Sequence, residues 1–160
     1  GTVIGRWVAL MTGFRHALAI ASLAFCMLAS NAHADPARDE VDRLVADYIG
    51  LYAGPTLDRW RTLFDPAVVV AFQADDGTIT TRTLDEFVER QRNYFATDRR
   101  ISERLANVRV DMGRRTARVS ADFIFVDEGE ERPGKLGLHL AEGQDGWKIV
   151  AVLFAYDTAP

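Results

Sequence analysis

Gly146–Asp157 reads GWKIVAVLFAYD, and this stretch decides the fold. At the two-residue period of a strand, one face carries Trp147, Ile149, Ala151, Leu153 and Ala155. The other carries Lys148, Val150, Val152, Phe154 and Tyr156. Lys148 is the only charge between the turn at Gly146 and Asp157, so both faces need a cover. Such a strand is central in its sheet, with helices over one face and a further layer, a second subunit being the natural supplier, over the other. The rest of the chain has to supply those covers.

Outward from this strand, Gln144-Asp145-Gly146 is a turn, and Lys135–Glu142 before it is a strand with Leu136, Leu138 and Leu140 in phase. An acidic loop, Asp127–Glu131, and Pro133-Gly134 separate it from Thr116–Val126. There Ala117, Val119, Ala121, Phe123 and Phe125 alternate with Arg118, Ser120 and Asp122. Gly113 with Arg114-Arg115 turns back to Ile101–Met112, read with Val108, Val110 and Met112 on one side and Arg109 and Asp111 on the other. Thr83-Leu84-Asp85-Glu86 is a capping box opening a helix that ends near Thr97. Asp76-Gly77 is a hairpin signal between Val68–Phe72 and Thr78–Thr81.

At the start, Asp35-Pro36 opens a helix that places Val41, Leu44, Val45, Tyr48 and Tyr52 on one face, and Gly54-Pro55 ends it. Thr56 is placed to cap a short second helix carrying Leu57, Trp60, Leu63 and Phe64, stopped by Asp65-Pro66. Helices followed by a run of strands point to an α+β fold. Three helices from the N-terminal half pack on a strongly curved, mostly antiparallel sheet.

Residues 1–34 read as a secretory signal peptide with its start at Met11. Arg15 and His16 lead into the apolar run Ala17–Leu28, and Ala32-His33-Ala34 is a small-x-small cleavage site before Asp35. The run has 12 residues, short for a membrane span of about 20. Phe25 makes Cys26 a poor lipidation site, and Cys26 is the only cysteine, so the mature chain has none. The expected location is therefore periplasmic or secreted, with no membrane association after cleavage. Residues 35–160 are expected to form a single domain.

Of 19 basic residues the leader takes Arg6 and Arg15, leaving 17 against 23 acidic, a net −6. An acidic domain without a basic stripe is a poor nucleic-acid binder. His139 is the sole mature histidine, no metal-ligand spacing is present, and no cofactor motif is found, so neither metal nor cofactor is expected.

The motif set resembles the nuclear transport factor 2-like superfamily of cone-shaped α+β domains, in particular its SnoaL-like (polyketide-cyclase-like) and ketosteroid-isomerase-like branches. The residues that carry the resemblance are Tyr48 and Tyr52-Ala53-Gly54, Leu57-Asp58-Arg59-Trp60, and Leu63-Phe64-Asp65-Pro66. The Gly77 hairpin, the capped Leu84–Phe95 helix and Gly146–Val150 complete it. The resemblance implies a pocket between the helices and the concave face of the sheet, and a homodimer through the convex face. In the isomerase-like branch a tyrosine and two acids do the work. Tyr48 falls at the tyrosine position, but the acid positions fall at about Ala71 or Phe72 and at Gly137. Steroid-isomerase chemistry is therefore not expected.

Two functional readings follow. In the first, Tyr48, Tyr52, Trp60, Phe72, Phe95 and Phe123, with His139, line a pocket for a small apolar or aromatic molecule, without catalysis. In the second, a cyclase, isomerase or hydratase uses His139 with Tyr48 or Asp122. His139 is out of phase with Leu136, Leu138 and Leu140. It enters the cone only if those leucines face away from it. A third possibility is a structural or partner-binding dimer with a filled cone.

Overall fold

The computed structural model describes residues 35–157, so the leader and its cleavage site lie outside the described residues. Three helices are present: α1 (Pro36–Gly50), α2 (Leu57–Arg61), preceded by a 3-10 turn at Gly54–Thr56, and α3 (Leu84–Phe95). The six strands are β1 (Phe64–Gln73), β2 (Ile79–Arg82), β3 (Ile101–Met112), β4 (Thr116–Asp127), β5 (Glu130–Gly143) and β6 (Gly146–Tyr156). They form one open sheet in the order β2-β1-β6-β5-β4-β3. Only the β1–β6 pairing is parallel. No helix among the described residues is long and apolar enough to cross a membrane.

Local chemistry sets the helix starts. The Asp35 carboxylate accepts from the Ala37 N–H, with Pro36 in the first turn of α1. Thr83 and Glu86 make both halves of the capping box of α3. Thr56 does not cap α2. Its hydroxyl donates to the Leu51 carbonyl at 2.8 Å, tying down the end of α1 instead.

Strand limits differ from the expectation in two places. β1 begins at Phe64, so Asp65-Pro66 lies within it. The Asp65 carboxylate accepts from the Ala67 N–H, and the register against β6 slips between Phe64 and Val69. The acidic loop is a turn at Glu128-Gly129, both at positive φ, and β5 already starts at Glu130. Pro133 fits inside β5 because its carbonyl accepts from the Asp157 N–H, just past the last paired residue of β6. Its ring nitrogen thus faces a place where the ladder needs no donor.

Two irregularities set the side-chain phases. In β5–β6, Leu140 pairs with Ile149 but His139 pairs with Ala151, leaving Val150 as the extra residue of a β-bulge. The buried series in β6 therefore runs Trp147, Ile149, Val152, with Phe154 and Tyr156 continuing it. In β3–β4, Ala106 pairs with Asp122 and Arg109 with Ser120, so β3 carries a second bulge at residues 107–108, where Asn107 has φ 52°.

The three helices lie on the concave side. α1 packs on β3 and β6, and α3 on β1 and β2. Leu138, Leu140, Ile149, Val152 and Val119 meet Val41, Trp60 and Val88 there, all 2% exposed or less. The leucines of β5 thus face the helices, and the convex side presents Val69, Leu153 and His139, all exposed.

Candidate functional site

A partly open cavity of about 160 Å³ lies between α1, α2, α3 and the concave side of the sheet. Its buried end is aromatic: Tyr48, Trp60, Phe87 and Phe123 are each 5% exposed or less, with Phe72 and Phe154 beside them. The rings are locked together, with centroids 4.7 Å apart for Trp60–Phe64, 5.4 Å for Tyr52–Trp60 and 5.0 Å for Phe72–Phe154. The volume is that of a cavity able to take one aromatic ring, about 150 Å³.

Polar groups enter this apolar space at a few points. The Trp60 Nε1–H donates to the Tyr48 carbonyl at 2.8 Å, and the Tyr52 hydroxyl donates to Gln91 Oε1 at 2.5 Å. Gln91 is itself buried. Tyr48 lines the cavity as well, and its hydroxyl, by contrast, makes no hydrogen bond among the described residues. Burial holds both the Tyr48 and Tyr52 hydroxyls well above the usual phenol range, and the neighbouring Glu103 carboxylate adds to the effect. Tyr156, also in the lining, is pushed up to about 12, mainly by burial.

Glu103 is the one acid of the cavity. Desolvation alone pushes its carboxyl up to about 7. It stands on β3 opposite Phe125, which pairs in turn with Arg132 on β5, so the three span adjacent strands. Arg132, Arg90, Arg82 and Tyr94 complete the less buried end. The Arg132 guanidinium lies 4.1 Å from the Tyr156 ring centroid and that of Arg90 lies 5.5 Å from Tyr94.

A profile of the SnoaL-like domain matches residues 36–152. The chain belongs to the SnoaL-like domain family. Solved structures share its fold at low identity. An NTF2-like protein with a cystatin-like fold from Novosphingobium aromaticivorans is 15% identical, over 77% of this chain and 83% of that one, with a TM-score of 0.61. A provisionally named dehydratase of the NTF2-like family from Streptomyces avermitilis is 16% identical, over 76% and 96%, with a TM-score of 0.62. An NTF2-like protein from Shewanella baltica is 13% identical, over 76% and 94%, with a TM-score of 0.59. No curated protein sequence matches the chain.

Within this SnoaL-like domain, Tyr48, Tyr52, Trp60, Phe72 and Phe123 meet around one cavity. Phe95 does not reach it. It packs edge-on behind Tyr52 at 5.1 Å and supports that wall. His139 stands on the convex side, exposed, between Arg118 of β4 and Ala151 of β6, because the leucines flanking it take the inward phase. Asp122 pairs with Lys135, four positions along β5 from His139 and so about 13 Å away at the rise of a strand. Its carboxylate accepts from the Lys135 ammonium at 2.6 Å and from the Asn107 amide at 2.5 Å. These contacts hold it below the usual carboxylate range. The expected His139–Asp122 pair is thus not formed, and neither residue touches the cavity.

Glu103 was the residue that the pattern of the sequence obscured. Counted back from Val108 and Val110 along a regular strand, Glu103 falls on the opposite side with Arg109 and Asp111, and only the extra residue of the bulge at 107–108 brings it into phase with Val110. The available signal was Ile101-x-Glu103-x-Leu105, an acid in an apolar phase. Among the described residues no three His, Cys, Asp or Glu side chains gather in a metal-ligating group.

Proposed function

We propose that this SnoaL-like domain binds a small apolar or aromatic molecule inside its cone. The observation that carries the reading is the aromatic cavity of about 160 Å³, lined by Tyr48, whose hydroxyl makes no hydrogen bond among the described residues. Apolar walls with a few convergent polar groups are what a small-molecule site requires. The test is titration with neutral single-ring compounds such as benzyl alcohol, followed by the fluorescence of Trp60 and by amide shifts of α1 and β6. Saturable shifts confined to the cavity residues are expected. A flat titration, together with a clean apo mass in native mass spectrometry of protein taken from its source, would overturn it.

A second reading, proton-transfer catalysis, is favoured by Glu103. A carboxyl near 7 in an apolar site can take a proton from a ligand and return it, while a tyrosine hydroxyl donates to the oxygen that gains charge. A dehydratase or isomerase needs this type of step, and the Streptomyces avermitilis neighbour carries the first of those names. Solvent deuterium exchange at the α-carbon of a bound aryl methyl ketone measures it. Exchange should exceed the buffer rate and vanish in Glu103→Gln.

The same proposal places the protein outside the cytoplasm, the leader being cleaved after Ala34, and joins two copies through the convex side. Support comes from the leader sequence, and from exposed Val69 and Leu153 beside Ala71 and Ala151 on that side. Cell fractionation and sedimentation test these two points.

A further inference from the structure

We infer that the ligand is a single-ring aromatic carboxylate, its ring among the buried aromatic side chains and its anionic group facing Arg132 and Arg90. This rests on the binding reading above and specifies the chemistry of that site.

The argument starts from charge. The chain is acidic overall, with 23 Asp and Glu against 19 Lys and Arg, yet its cavity presents three arginines to one acid. Eight other arginines, among them Arg61, Arg92 and Arg118, are neutralised in ion pairs. Among the described residues, Arg82, Arg90 and Arg132 form none; Arg43, Arg59, Arg109 and Arg114 form none either, but they lie outside the cavity. The Glu86 carboxyl is lowered mainly by its hydrogen bonds with Thr83 and further by the charge of Arg82, which therefore has an acid beside it, so the weight falls on Arg90 and Arg132.

Arg132 is the more telling of the two. Its Nε is buried and finds no acceptor among the described residues, a costly state for a cationic donor unless a ligand supplies the acceptor. The guanidinium is held against Tyr156, and the charges of Arg132 and Arg90 both reach that phenol, so they converge on one part of the cavity. Glu103 does not neutralise them: it makes no ion pair among the described residues, and burial favours its uncharged form. A carboxylate matches the forked donors of arginine, and a flat ring matches both the walls and the volume.

The experiment compares matched pairs by calorimetry at pH 7: benzoate with benzamide, and phenylacetate with phenylacetamide. In each pair the shape is kept and the charge removed. The acid should bind at least about tenfold tighter than its amide in the wild type, the difference expected when a hydrogen bond gains a full charge. Arg132→Gln should bring each acid to within about threefold of its amide, the acid losing more affinity than the amide, and Arg90→Gln provides the same comparison should the first variant fold poorly. Amides binding as well as the acids would overturn the anionic assignment and leave the binding reading standing. Failure of all four to bind would overturn both.

Discussion

Ile149 and Val152 stand three residues apart on β6, yet both are buried in the cone, 0% and 2% exposed. Val150, inserted opposite the step from Leu140 to His139, turns the strand by one position between them. The strand thereby gives Trp147 and Ile149 to the core at one end, and Phe154 and Tyr156 to the cavity at the other. Ile149→Asp and Val152→Asp should each cost about 4 kcal/mol or more, since each buries a charge with no partner. Leu153→Asp, at a side chain 54% exposed, should leave the melting temperature within a few degrees and shift sedimentation toward a monomer. A folded Val152→Asp protein would contradict the assigned phase.

The order of helices and strands, the curved sheet and most of the core were legible because amphipathic periods and caps are local. Val41, Leu44 and Tyr48 of α1 and the alternation of β4 needed no tertiary information. The two bulges were not legible, because an extra residue is defined only by the partner strand. One of them splits each expected face of β6 at Val150, so that Ile149 and Val152 share a side, and the other hid Glu103. They did not affect β5, where the regular phase of Leu136, Leu138 and Leu140 fixed His139 on the outside. Five of the aromatic candidates reached the cavity since large apolar side chains from α1, the turn after it, α2, β1 and β4 are buried on the concave side.

Gly134 is required by Phe123. A methyl group at residue 134 would collide with the Phe123 ring and with the Ala155 carbonyl, a backbone atom of the neighbouring strand. Phe123 lies across from Gly134 on β4 and forms one wall of the cavity. Gly134→Ala should cost about 1–3 kcal/mol by overpacking and weaken any aromatic ligand as the ring is displaced. Adding Phe123→Leu should recover part of the loss, which a double-mutant cycle in urea would measure. Additive effects of the two substitutions would show that the collision is relieved elsewhere.

Trp60 closes the end of α1. The Tyr48 carbonyl is one of the last in that helix, where the chain supplies no further in-register N–H, and the buried indole satisfies it. Trp60→Phe keeps a ring against Phe64 and Phe87 but leaves this carbonyl unpaired. The expected loss is about 2–4 kcal/mol, combining an unmet acceptor with a smaller ring. Because Tyr48 lines the cavity, ligand affinity should fall along with stability. A variant with wild-type urea stability would show that water or a shifted backbone replaces the indole.

Glu103 gives stability a pH dependence with a defined sign. Its carboxyl moves from 4.5 when exposed to about 7 in the folded domain because the cavity disfavours its charge. Between those values the native chain holds the proton and the unfolded chain does not, so this group's contribution declines as pH rises. It is fully present below about 4.5 and gone above about 7, a change of about 3 kcal/mol at 1.36 kcal/mol per unit. Tyr48, Tyr52 and Tyr156 stay neutral throughout, so none of them shares this window. Other carboxylates do titrate near its lower edge, and comparison with Glu103→Gln removes them. Urea denaturation from pH 4 to pH 8 should show the wild type losing about 3 kcal/mol relative to Glu103→Gln. A constant difference across that range would mean that Glu103 is solvated in the folded domain, and would remove the basis for proton-transfer chemistry at this site.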